Sequence, residues 1–124
     1  MVKFMCVLVV EDNALIRMIL VEELRDAGYN VQESETADQA MRLLETIDPP
    51  LTILVTDVHM PGLRNGIQLA AHVRTTCPGV PVIYTTGRPD ALRQFTRLDD
   101  QQVLVRKPYL PSEIVHRIEM LLGR

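Results

Sequence analysis

The sequence predicts an α/β domain built on a doubly wound, five-stranded parallel sheet. Three observations carry this: apolar, β-branched runs alternate with segments of helical spacing, the alternation recurs five times, and the connections are short. The 124 residues, 47% hydrophobic and 23% charged, make one ordinary globule. Such a chain buries about two thirds of its unfolded surface without a disulfide or structural metal. A single domain over residues 1–124 is the expectation.

The first strand, residues 4–10, is an unbroken apolar run (Phe4 to Val10), as suits a central strand covered on both faces. Residues 13–27 return Ile16, Ile19, Leu20, Leu24 and Ala27 at helical spacing, and Gly28 stands where a helix stops. A short strand follows over 29–33. Thr36 is an N-cap candidate for a helix over 37–46, whose Ala40, Leu43, Leu44 and Ile47 share a face before Pro49-Pro50 breaks the chain. The third strand, 51–56, ends at Asp57, and the Met60-Pro61-Gly62 turn leads to a helix over 66–76 stopped by Pro78-Gly79. A fourth strand over 80–85, a short helix over 90–96, a fifth strand over 103–105 and a closing helix over 112–122 complete five βα units. Parallel strands joined by right-handed helical crossovers, five rather than the eight of a barrel, give a flavodoxin-like sheet in the order 2-1-3-4-5.

Composition excludes several functions. Sixteen acidic residues against 13 basic ones leave a net charge of -3, and aromatics are 4% with no Trp, which argues against a nucleic-acid surface. Cys6 and Cys77 are far apart, without a CxxC or Cys/His cluster, and read as two reduced thiols. The first ten residues are too short to span a membrane, lack a signal-peptide cleavage pattern, and run into Glu11-Asp12. The expectation is a cytoplasmic protein that contacts neither membrane nor nucleic acid.

In this topology the functional crevice lies beyond the carboxyl ends of the strands, where strand order reverses between the first and third. Strand one delivers Glu11 and Asp12 there, strand three Asp57, strand four Thr86-Gly87 and strand five Lys107-Pro108. Three converging carboxylates repel one another unless a cation lies among them, and hard oxygen ligands suit Mg²⁺. Lys107 adds an ammonium and Thr86 a hydroxyl donor. A phosphoryl group on Asp57 would meet metal, ammonium and hydroxyl on different sides, the positioning and charge stabilisation that phosphoryl transfer needs. A nucleotide-binding sheet would carry a Gly-rich turn after strand one, where this chain has Glu11-Asp12-Asn13. An Asp-x-Asp phosphatase loop would place a second carboxylate where His59 stands.

Val9-Val10-Glu11-Asp12, Thr56-Asp57-Val58-His59-Met60-Pro61-Gly62, Tyr84-Thr85-Thr86-Gly87 and Lys107-Pro108, in that order, resemble the receiver domain of two-component response regulators over essentially the whole chain. The resemblance implies that Asp57 accepts a phosphoryl group from a histidine kinase or histidine phosphotransfer protein. It implies that Glu11, Asp12, Asp57 and the backbone carbonyl of His59 hold Mg²⁺. Thr86 would hydrogen-bond the phosphoryl oxygen, Gly87 would let the backbone approach, and Lys107 would pair with it across a cis Lys107–Pro108 peptide. Such a domain is no enzyme toward outside substrates, although it assists its own phosphorylation and the hydrolysis of its aspartyl phosphate.

Two departures stand out. Receivers commonly carry Tyr or Phe three residues before the lysine, where this chain has Leu104. Tyr84-Thr85-Thr86-Gly87-Arg88 is similar to the Phe-Ala-Thr-Gly end of a subgroup of stand-alone bacterial receivers. In the family, the positions of His59 and Arg88 border the path of the hydrolytic water, so these side chains are expected to slow loss of the phosphoryl group. On the first helix Leu15, Met18 and Val21 fall outside the apolar stripe and form a candidate docking face for a phosphodonor. Arg88, Arg93, Arg97 and Arg106 concentrate positive charge on a candidate output face. His72 and His116 lack partners at ligand spacing and read as ordinary helix residues, and Tyr109 is expected to pack against the closing helix. With no output segment after Leu122-Gly123-Arg124, the expected chain is a monomer or weak dimer acting on an unidentified downstream protein, or a domain cut from a longer regulator. The competing function is a receiver-like interaction module that works without phosphate, and a third is an Asp-nucleophile phosphatase.

Overall fold

The unbroken apolar run of the first strand becomes β1 (Cys6–Val10), all five residues of which are buried. The structure is a computed structural model that describes residues 5–47, 50–88, 90 and 98–123. Along the chain β1 is followed by α1 (Ala14–Asp26), β2 (Asn30–Ser34), α2 (Ala37–Leu44), β3 (Leu51–Asp57), α3 (Gly66–Thr76), β4 (Val82–Thr86), β5 (Gln102–Arg106) and α4 (Pro111–Leu121). The strands form one parallel sheet in the order β2-β1-β3-β4-β5, as the crossover argument predicts. The helix expected at 90–96 lies, apart from Asp90, outside the described residues, as do Phe4, Pro49, Arg93 and Arg97.

Strand residues alternate between two cores because successive side chains leave a sheet on opposite faces. Leu8, Val10, Leu54, Val82 and Tyr84 pack with Ala37 and Ala40 of α2 and with Leu69, Ala70 and Val73 of α3. Val7, Val9, Ile53, Val55, Ile83 and Val105 pack with Leu20, Val21 and Leu24 of α1 and with Ile114 and Ile118 of α4. Tyr109 packs against this second core. Between β1 and β3 the register shifts at Cys6/Val7, and Thr52 Oγ1 accepts from the Cys6 N–H at 3.0 Å, replacing the lost ladder bond.

Helix starts follow local chemistry. Asn13, Thr36 and Asn65 each accept a hydrogen bond from the backbone N–H three residues on, at 3.0, 3.1 and 2.9 Å. Gln68 Oε1 in turn accepts from the Asn65 N–H at 2.8 Å, closing a capping box on α3. The closing helix begins one residue earlier than expected, because Pro111 brings a preset φ and no N–H to satisfy at the first helical position. α2 ends two residues early: Glu45 and Thr46 donate to the carbonyls three residues back, tightening the last turn. Gly28, with φ of 97°, ends α1 in the left-handed region. β4 starts at Val82 rather than residue 80, since Pro81 has no N–H for the ladder.

α1 corrects the expected face. Val21 is 2% exposed and belongs to the core, while Ile19, assigned to the core stripe, is 45% exposed. The buried set Leu20, Val21, Leu24 is rotated from the expected one because the half-buried Arg17 occupies the stripe. Its guanidinium donates to the Glu11 carbonyl at 2.7 Å and to Glu33 at 3.1 Å. A pattern scored on apolar residues reads Arg17 as solvent-facing and shifts the face.

Candidate functional site

β1 and β3 are neighbours in the sheet, so their carboxyl ends lie side by side. Glu11 leaves the end of β1 3% exposed, and Asp57 closes β3 6% exposed. Asp12, one residue past Glu11, is exposed. Oxygen atoms of Glu11, Asp12 and Asp57 lie within 4.8 Å of one another. β5, two strands from β3, delivers Lys107, whose Nζ is 2.6 Å from Glu11 Oε1 and 3.1 Å from Asp57 Oδ2. The sequence places Lys107 near Asp57; its tighter contact with Glu11 was not foreseen, since nothing in linear spacing reveals which buried acid an ammonium meets first.

The electrostatics follow from burial. Desolvation pushes the Glu11 carboxyl above its ordinary range and the Asp57 charge adds to this, against hydrogen bonds from Lys107 and the Asn13 N–H. Asp57 is raised for the same first reason, with Asp12 adding repulsion and Lys107 opposing. Burial pulls the Lys107 ammonium down, but the Glu11 hydrogen bond and the two carboxylate charges outweigh it and hold Lys107 above the usual lysine range. The Tyr109 phenol is raised by burial and by the charges of Glu11 and Asp57. One cation thus offsets part of a crowded anionic site. Three hard carboxylate oxygens clustered this closely, two on acids that resist ionising, are the donor set a small divalent ion satisfies.

Thr86 ends β4 2% exposed. Its Oγ1 accepts from the Arg88 N–H at 3.0 Å and donates to the Arg88 carbonyl at 3.3 Å, so the hydroxyl is engaged by its own turn. The Lys107 N–H donates to the Thr86 carbonyl at 2.8 Å, tying the two strand ends together. The Lys107–Pro108 peptide is cis. Among the described residues, a Cβ on Gly87 would meet Lys107 Cβ at 3.9 Å, an ordinary van der Waals contact. Leu104 faces the first core as the register partner of Tyr84, and the Tyr84 hydroxyl pairs with Gln102 Oε1 at 2.9 Å.

Sequence reasoning missed Gly66. A Cβ there would lie 1.9 Å from the Asp57 carbonyl oxygen, and the Gly66 N–H donates to the Val58 carbonyl at 2.9 Å. The available signal was a glycine at the first position of a helix directly after the site loop, where close backbone approach is the usual reason for one.

His59 is half-buried, and its Nε2 has no hydrogen-bond partner among the described residues. With Asp12, Met60, Pro61, Asn65 and the exposed Arg88 it lines a cleft of about 500 Å³ beside the carboxylates. On α1, Leu15 is 60% and Met18 51% exposed, and with Val21 buried the exposed face is Leu15, Met18 and Ile19. Ile16 and Ile19 border a second, apolar cavity of about 380 Å³ with Lys107, Pro108, Tyr109 and Pro111. Arg88 and Arg106 are exposed, as are His72 and His116. Cys6 and Cys77 are free thiols. Among the described residues no helix is long and apolar enough to cross a membrane.

Comparison with known proteins agrees with this geometry. Residues 7–119 match the response regulator receiver domain. The chain is 34% identical over 119 residues to the transcriptional regulatory protein PdtaR of Mycobacterium tuberculosis, covering 95% of this chain and 57% of PdtaR. It is 32% identical over 124 residues to the transcriptional regulatory protein AruR of Pseudomonas aeruginosa, covering 95% of this chain and 49% of AruR. The chain therefore spans about half the length of the curated relatives it matches. A receiver protein from Sinorhizobium medicae superposes with a TM-score of 0.86 at 23% identity, over 96% of this chain and 94% of that one. The response regulator TrrA of Thermotoga maritima, solved with Mg²⁺ and BeF, superposes at 0.79 with 23% identity, over 94% and 98%. The order of the strands, the acids at their adjoining ends and the match along nearly the whole sequence lead to one conclusion: this chain belongs to the receiver domain family of two-component response regulators.

Proposed function

We propose that the chain is a phosphorelay acceptor that takes a phosphoryl group from a phosphohistidine onto Asp57. The observation that carries this is the Lys107 ammonium between Glu11 and Asp57, with the Asp12 carboxylate alongside. An Asp57 oxygen attacks phosphorus, an O–P bond forms and the P–N bond breaks. The electron pair returns to the donor imidazole, which leaves neutral when its other nitrogen carries a proton. Glu11, Asp12, Asp57 and the His59 backbone carbonyl would hold Mg²⁺, which when bound neutralises charge on the transferring phosphoryl oxygens. Lys107 pairs with one phosphoryl oxygen. The Thr86 hydroxyl leaves the Arg88 backbone to donate to another, and that exchange favours a second conformation of the β4 end. With Leu104 in place of an aromatic ring, this movement is passed on without a ring rotation. His59 and Arg88 narrow the cleft through which water reaches the acyl phosphate and lengthen its life. The donor, a histidine kinase or histidine phosphotransfer protein, docks on Leu15 and Met18 with Ile19, and a downstream protein reads the altered state.

Incubation with acetyl phosphate and Mg²⁺ should add one phosphoryl mass to the intact protein and none to Asp57→Asn. An unmodified wild type would overturn the reading in favour of a module acting by binding alone. Repeated turnover of small phosphate esters would instead mark a phosphatase. His59→Ala and Arg88→Ala should each shorten the phosphorylated lifetime; unchanged decay removes their tuning role.

A further inference from the structure

We propose that Asp38, on the first turn of α2, is a positioning residue that holds the loop between β3 and α3 in the shape the metal site requires. This rests on the reading of the carboxylate cluster as a Mg²⁺ site. Asp38 is far from the chemistry in sequence, yet three consecutive loop residues close on its carboxylate. The Leu63 N–H donates to Asp38 Oδ2 at 3.0 Å, and Arg64 Nη1 donates to Oδ1 at 3.3 Å. Gly62, at φ +111°, passes so close that a Cβ on it would lie 2.6 Å from the same Oδ2.

The loop is pinned at its base by the Gly66 N–H on the Val58 carbonyl and by the Asn65 capping box. Asp38 pins its tip. Between the two anchors lie His59, whose carbonyl is the proposed fourth protein ligand of the metal, Met60 and Pro61. A bond from a backbone N–H to a carboxylate is stronger than one between neutral groups, whereas the Arg64 pair, with that side chain 52% exposed, contributes little. The anchor is itself well placed: an acid in the first turn of a helix is favoured by the dipole, and α2 is fixed to the sheet through the buried Ala37 and Ala40. Without the carboxylate the exposed tip turns to water and the loop explores a wider range of shapes, so the carbonyl of His59 is less often where the ion needs it.

The test uses Mn²⁺, visible by electron paramagnetic resonance, as the metal probe, together with amide hydrogen exchange at Leu63 in metal-free protein. Asp38→Ala should speed Leu63 exchange and raise the Mn²⁺ dissociation constant about tenfold, the lower end of what outer supports of a metal site contribute. Asp38→Asn keeps an oxygen for the Leu63 N–H and should recover most of both, and Arg64→Ala should stay within about twofold of wild type. Equal dissociation constants for wild type and Asp38→Ala overturn the positioning role alone, as does an Asp38→Asn protein as impaired as Asp38→Ala. A wild type that binds no Mn²⁺ overturns the metal site and, with it, this role.

Discussion

The ammonium of Lys107 offsets two buried acids at once, so its removal is felt twice. Lys107→Met keeps the length of the side chain and leaves Glu11 and Asp57 facing each other without a cation. It should cost about 2–4 kcal/mol at neutral pH in metal-free protein, below the full penalty for a stranded buried charge because Lys107 retains some solvent. Denaturant unfolding measures this, and a loss under about 0.5 kcal/mol, the range of an ordinary surface change, would show that the pair is not coupled to folding. Gly66→Ala should be worse for its size. One methyl group placed 1.9 Å from a carbonyl oxygen forces the backbone to move, costing about 3 kcal/mol. It should also suppress phosphorylation by acetyl phosphate, and a stable, fully active Gly66→Ala protein would refute the close approach. The strand-end acids and the lysine were legible in the sequence because topology alone brings strand ends together. Gly66 and Asp38 were not, because each acts through a backbone atom of another segment, and backbone contacts leave no trace in a hydrophobic pattern.

The first helix divides cleanly between a buried and an exposed side, and the two should separate in experiment. Val21→Ala removes two buried carbons and should cost about 2 kcal/mol of stability. Leu15→Asp and Met18→Asp, on the exposed side, should stay within about 0.5 kcal/mol of wild type. The same two substitutions should slow transfer from a phosphorylated histidine partner while leaving acetyl phosphate labelling unchanged. If both donors slow equally, the helix is not a docking face. Most elements were readable from apolar runs, N-caps and Gly or Pro stops, and their observed ends differ by a residue or two, at β4 and α4 beside a proline and at α2 in a tightened last turn. The orientation of α1 was not readable, because Arg17 is held inward by the Glu11 carbonyl and Glu33, partners known only once the chain is folded.

The whole molecule carries an electrostatic debt whose sign can be followed in pH. Glu11 and Asp57 bind protons more tightly folded than unfolded, so the stability they contribute is full below their ordinary values of 4.5 and 3.8 and is lost as pH rises through their raised ones. Asp99, held low by the Arg74 guanidinium and then by the Gln101 N–H, works oppositely, contributing above its ordinary 3.8 and losing that as pH falls through its lowered value. Lys107 stabilises below its ordinary 10.5, and that contribution disappears as pH rises through its raised value. In metal-free wild type, the midpoint of thermal unfolding should therefore fall relative to Asp57→Asn as pH rises above 3.8, the ordinary value of the Asp57 carboxyl. Saturating Mg²⁺ should raise it in wild type and not in the variant. A wild type and variant with parallel profiles would remove the site from the balance. The fold was legible as a whole because a parallel sheet has few ways to connect its strands. The near-fusion of the Asp57 carbonyl with the start of α3 has a mechanical result. With no slack for even a methyl group between them, β3 and α3 should travel as one lever, and the yielding that the proposed phosphorylation switch requires falls to the tip of β4, where a single hydroxyl can let go of its own turn.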